Sequence, residues 1–86
     1  MDIAIGDTAT KGPVYQQIKD QIAEMIETGT LAAGETLPSP ATVAGKANVD
    51  RGEVSRAYFE LEQLGLIASR KSKNFLGEAT TTYSVR

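Results

Sequence analysis

The sequence predicts a mainly α domain with a small β-hairpin, and three observations carry that expectation. Two stretches, Val14–Ile26 and Val54–Leu64, repeat apolar residues at helical spacing. Helix punctuation brackets both: Pro13 and Gly29 around the first, Asp50 and Gly65 around the second. Beyond Gly65, the apolar pairs Leu66-Ile67 and Phe75-Leu76 flank a polar, basic segment, the pattern of two strands joined by a turn.

Taken in order, residues 1–12 are an arm. Ile3 and Ile5 alternate with Asp2 and Ala4, which fits a short strand, an extended packing segment or a frayed terminus; Thr8 to Gly12 reads as a loop. Pro13 opens the first clear helix at N1, where its missing N–H costs nothing. Val14, Ile18, Ile22, Met25 and Ile26 form its buried stripe. Gln16, Gln17, Lys19, Asp20, Glu24 and Glu27 face away as a solvated surface. Thr30 to Pro38 is a connector with a tight turn at Ala33-Gly34-Glu35 and a very short strand at Thr36-Leu37. Ser39 caps a second, short helix with Pro40 at N1, burying Val43, Ala44 and Ala47. Asn48 takes the left-handed turn that follows.

The third helix organises the rest. Asp50 caps its first turn, and Glu53 completes an Asp-x-x-Glu capping box. Val54, Ala57, Tyr58, Leu61 and Leu64 fall on one side. Gly52, Ser55, Arg56, Phe59 and Gln63 fall opposite, with Arg51 on the flank. Gly65 ends the helix. Leu66-Ile67 then begins a strand, Arg70-Lys71-Ser72-Lys73-Asn74 makes a basic turn, and Phe75-Leu76 returns. Glu78 to Arg86 is a polar tail or a short strand. Helix, short turn, capped helix and basic hairpin together make a winged helix-turn-helix of three helices plus wing. On this reading the chain divides into the arm (1–12), the winged helix-turn-helix domain (13–77) and a C-terminal tail (78–86).

Composition narrows the function. Eighty-six residues support one modest core, and no apolar run approaches the roughly 20 residues that span a membrane. The absence of Cys and His removes thiol nucleophiles, disulfides, most zinc sites and histidine acid–base catalysis. The carboxylates are scattered over solvated helix faces with no nucleophile–base pair, so no enzyme, cofactor or metal is expected. Lack of cysteine fits a cytoplasmic protein. Net charge is −2, but its distribution is uneven. Up to residue 45, two lysines oppose six acids; from residue 46, seven cations oppose five. The positive charge coincides with the outward face of the third helix and the hairpin, a small, arginine-bearing face suited to a DNA major groove. An amphipathic helix with two exposed arginines is common, and only its setting between a capped helix and a basic hairpin gives it weight.

PVYQQIKDQI (Pro13–Ile22), GTLAAGETLPS (Gly29–Ser39) and VSRAYFELEQLGLI (Val54–Ile67) resemble the DNA-binding domain of GntR-type bacterial regulators, especially the small YtrA-like branch. The resemblance covers roughly Ile3 to Gly77. It implies a winged helix-turn-helix that binds an operator in double-stranded DNA as a homodimer, usually to repress transcription. It further implies that Ser39 contacts the DNA backbone and that Arg51, Gly52, Ser55 and Arg56 lie at the groove. Lys71, Ser72 and Lys73 would lie at the wing tip.

Several positions depart from the family pattern. Ala41 stands where an arginine is usual, Gly52 where threonine or asparagine is usual, and Asp50 adds negative charge. The wing has Ser72 and Asn74 in place of glycines and looks one residue short. Losing one bidentate arginine–guanine pair, worth about 1–3 kcal/mol, weakens or redirects base readout without abolishing binding. Phe59 falls outward where the family is polar, as a protein contact or as packing against the wing. Family members normally continue into a ligand-binding or dimerising domain. Here the sequence is either a truncated piece or a stand-alone domain that dimerises otherwise, and no effector site is expected within it. Two further functions compete: a winged helix reused for protein interaction through the Phe59 face, and a DNA-coating accessory or plasmid-maintenance factor.

Overall fold

In the computed structural model, which describes residues 1–86, four helices precede and intersperse a three-stranded sheet: α1 (Thr8–Lys11), α2 (Val14–Glu27), β1 (Thr36–Leu37), α3 (Pro40–Ala47), α4 (Arg51–Gln63), β2 (Ile67–Lys73) and β3 (Ala79–Val85). The core draws most heavily on α4, with one or two residues from each of α2, α3 and the three strands. Ile18 and Ile22 come from α2, Val43 and Ala44 from α3, and Val54, Ala57, Tyr58 and Leu61 from α4; Leu31, Leu37, Ile67 and Val85 close it. Each large aliphatic side chain removed from water contributes about 1.5–3 kcal/mol. No helix is long and apolar enough to cross a membrane.

The helix stops follow local chemistry. Asn48 adopts left-handed φ 56° between α3 and α4, tolerable for its short polar side chain. Gly65, at φ 78°, ends α4 in a conformation that a β-carbon would strain. Pro13 stands one position earlier than expected, as the N-cap rather than the first residue of α2. Thr8–Lys11, read as loop, forms the single-turn α1, because the Asp7 carboxylate accepts from the Ala9 N–H and closes the turn.

The sheet runs β1-β3-β2, antiparallel throughout. Its pairing corrects the expected hairpin. Phe75 and Leu76 do not return as a strand; they occupy the turn, and the basic residues Arg70, Lys71 and Lys73 lie within β2. The return strand is β3, so Glu78 to Arg86 follows the strand alternative over most of its length. Ile67 pairs with Val85, Ser69 with Tyr83, Lys71 with Thr81 and Lys73 with Ala79. Side chains alternate across a strand, and directly paired residues share a face. These four pairs therefore line the face that carries Ile67 and Val85 into the core. Arg70, Ser72, Thr80 and Thr82 belong to the other face.

Burial departs from expectation at several positions for tertiary reasons. Gln17, expected outside, is buried: its amide oxygen accepts from the Gly6 N–H (2.7 Å) and its NH2 donates to the carbonyls of Gly12 (2.9 Å) and Gly6 (3.3 Å). Gln21 does the same one turn on, exchanging bonds with Ala4. The arm is thus stitched to α2 by two glutamine side chains, and Met1, Ile3 and Ile5 pack half-buried against the core. Leu64, expected inside, is exposed, because it follows the last turn of α4 where no element faces it. Ala47, and Val14, Met25 and Ile26 of the expected α2 stripe, are half-buried rather than buried.

Candidate nucleic-acid interface

Two helix starts converge here, each held by its own cap. The Ser39 hydroxyl accepts from the Thr42 N–H (3.2 Å) and lies 2.9 Å from the Thr42 hydroxyl. Asp50 accepts from the Gly52 N–H at 3.0 Å. The second half of the expected capping box does not form. The Glu53 carboxylate instead accepts from the Tyr15 N–H at the start of α2 (2.9 Å), satisfying a donor that has no partner within its own helix.

The angle between α3 and α4 is locked from below. Fully buried Tyr58 donates its hydroxyl to the Pro38 carbonyl (2.7 Å), directly before the Ser39 cap, and packs edge-on against Tyr83 of β3 at 4.8 Å between centroids. One side chain thereby ties together α4, the start of α3 and the wing. Burial, and secondarily the neighbouring Tyr83 phenol, pushes the Tyr58 hydroxyl well above the ordinary tyrosine range. It stays a neutral donor at any physiological pH.

Above this anchor lies an open notch of about 420 Å³ between the helices and the wing, lined by Ser39, Pro40, Ala41, Arg51, Ser55 and, from β3, Ala79, Thr80, Thr81 and Tyr83. The pairing register puts Lys71 and Lys73 on the sheet face that carries Ala79, Thr81 and Tyr83. Ser39, Arg51 and Ser55 thus share one concavity with β3, and Lys71 and Lys73 lie on the neighbouring strand, paired with Thr81 and Ala79. Ser72 stands on the reverse face, its hydroxyl 3.1 Å from that of Thr80.

The two arginines do not share one direction. Arg51 and Arg56 are separated by about 140° around α4, at 100° per residue. Arg51 leans to the wing side. Arg56 leans to the α2 side, where its guanidinium carbon lies 3.8 Å from the centre of the Tyr15 ring. Gly52, Phe59 and Gln63 form the ridge between them. Phe59 is 62 % exposed there and does not join the core, so it does not pack away against the wing. Sequence reasoning missed Tyr15, Tyr83 and Thr81 as parts of this region. Their contribution depends on contacts between segments more than 20 residues apart.

The description "Bacterial regulatory proteins, gntR family" matches residues 14–76. The chain belongs to that family. The GntR match ends inside the wing turn, so β3 lies beyond it. Among curated relatives, the chain is 34 % identical over 67 residues to the uncharacterized HTH-type transcriptional regulator YhcF of Bacillus subtilis, covering 77 % of this chain and 55 % of that protein. It is 33 % identical over 67 residues to the HTH-type transcriptional repressor YtrA of the same organism, covering 78 % and 52 %. The chain therefore spans about half the length of the curated relatives it matches. Among solved structures, YtrA from Sulfolobus acidocaldarius, a GntR-family transcription factor, superposes with a TM-score of 0.80 at 33 % identity, covering 99 % of this chain and 81 % of that one. The helix-turn-helix and wing are those of a GntR-type DNA-binding domain.

Proposed function

We propose that this chain binds double-stranded DNA sequence-specifically, as a homodimer in the cytoplasm, and represses transcription. The observation that carries the reading is the notch, where Ser39, Arg51 and Ser55 meet β3, with Lys71 and Lys73 on the strand paired to it. Arg51 and Arg56 read base edges from the two flanks of α4. Ser39 and the first N–H groups of α3 hold phosphate, and Lys71 and Lys73 hold the adjacent backbone. Gly52 leaves the ridge of α4 low enough for the helix backbone to approach the bases. Dimerisation and repression are the behaviour implied by the family, and the name of the Bacillus subtilis YtrA repressor supports the second.

Selection from a random duplex pool, followed by anisotropy titration, tests the proposal. Recovered sites should show two-fold symmetry. Arg51→Ala and Arg56→Ala should each relax preference at their own positions by about 1–3 kcal/mol. Equal binding of every pool member by wild type and both variants would sink it. Exposure of Phe59 on the ridge favours a second reading, a protein contact through this face. Failure to bind heparin at low salt, together with Phe59-dependent association, would favour that reading.

A further inference from the structure

The most exposed apolar side chains of the molecule sit at the end of the wing. Phe75 is 96 % and Leu76 68 % exposed, on the turn between β2 and β3. This turn is tightly built. The Asn74 side-chain oxygen accepts from the N–H groups of both Leu76 (2.9 Å) and Glu78 (3.0 Å). Its backbone N–H donates to the Glu78 carbonyl, its carbonyl accepts from Gly77, and Gly77 takes φ 81° to close the loop. Asn74 also donates from its side-chain NH2 to the Glu78 carboxylate (3.3 Å), engaging the one acid of the tip. Two apolar side chains are therefore held out on a pre-ordered support, immediately after Lys71 and Lys73 on the notch face.

We infer that Phe75 and Leu76 form an apolar wedge that enters between base pairs of duplex DNA from the minor groove and bends it. The inference rests on the DNA-binding reading above and goes beyond it. Size argues for this occupant over a protein. A specific protein–protein contact buries on the order of 1,200–2,000 Å². An aromatic side chain supplies about 150–250 Å², and the tip holds only one besides a leucine. A wedge needs no more than that: one or two apolar side chains suffice to unstack a base step and kink the duplex by about 20–90°. Charge argues the same way, since Lys73 and Lys71 lie on β2 just before the tip and can follow the phosphates flanking the opened step. The ordered turn reduces the entropy lost when the tip is immobilised.

The chain has no tryptophan, so Phe75→Trp places a single reporter at the tip. Titration with a mixed-sequence duplex at low salt should quench its emission in parallel with binding measured by anisotropy. Phe75→Ser with Leu76→Ser, both on an exposed turn, should keep the fold and still bind, but lose most of the bend seen by energy transfer between labelled duplex ends. Saturated binding with unchanged tryptophan emission, or equal bending by wild type and the double variant, overturns the wedge while leaving the DNA reading intact. Absence of any binding by wild type overturns both. An emission shift that depends on protein concentration without DNA would assign the tip to a second copy of the chain and also overturn the wedge.

Discussion

Removing one oxygen at Tyr58 tests how the interface is held. Tyr58→Phe deletes the hydroxyl that donates to the Pro38 carbonyl at 2.7 Å and leaves the ring in its edge-on contact with Tyr83. The cost is the missing hydrogen bond plus an acceptor stranded near the core, about 1–3 kcal/mol. Pro38 is only half-buried, and water can reclaim part of its carbonyl, so the lower half of that range is expected. For a domain of this size each kcal/mol moves Tm by about 4–8 °C. Calorimetry and urea unfolding at neutral pH should therefore agree on a drop of several degrees with an unchanged m-value.

The same variant carries a second signature. The Tyr58 pKa is raised in the folded state, so the unfolded chain loses this proton first as pH rises. The stability it contributes is complete below about pH 10, the unfolded value, and declines above it by up to about 1.4 kcal/mol per pH unit. Wild type should lose stability in that alkaline window, and Tyr58→Phe should lose distinctly less. Equal Tm at neutral pH and parallel alkaline profiles would refute the idea that this hydroxyl braces α4 against the start of α3.

Three other outcomes follow from the geometry. Tyr15→Ala should reduce discrimination at the position proposed for Arg56 about two- to fivefold, the worth of an exposed cation–π pair, whereas Tyr15→Phe should not; matching selection profiles for all three proteins would remove Tyr15 from the interface. Lys71→Ala with Lys73→Ala should lower the slope of log affinity against log salt by about 0.9 for each phosphate no longer neutralised, while Arg70→Ala, on the reverse sheet face, should leave it near wild type. Gln17→Ala should cost about 1–3 kcal/mol and accelerate hydrogen exchange at the Gly6 amide, because three hydrogen bonds to the arm disappear together; unchanged protection there would show the arm held by other means.

Much of the fold was legible because it rests on local chemistry. The Ser39 and Asp50 caps, the left-handed Asn48 and Gly65, and the stripe from Val54 to Leu61 all depend on residues within one or two turns. The short strand at Thr36-Leu37 was visible too, although its partner, Tyr83 and Ser84 of β3, was not. The wing was half legible. Leu66-Ile67 announced β2, but Phe75-Leu76 imitated a return strand, and the true one, ATTTYSV, has a weak apolar alternation. Its β-branched threonines suit a strand, yet its position is settled by Val85 reaching the core and Tyr83 reaching Tyr58.

Sequence alone determined the helix-turn-helix, its caps and the set of cations and hydroxyls available to meet DNA. Only tertiary structure decided how they are aimed. Arg56 rests on Tyr15, Glu53 serves α2 in place of its own cap, Gln17 turns inward to the arm, and Lys71 parts from Arg70 across the sheet. The reason is the range of the forces. Caps and periodicity act over a turn of backbone, whereas these side chains take their direction from partners the chain brings near only on folding. A buried donor or acceptor without such a partner would cost as much as many local preferences combined.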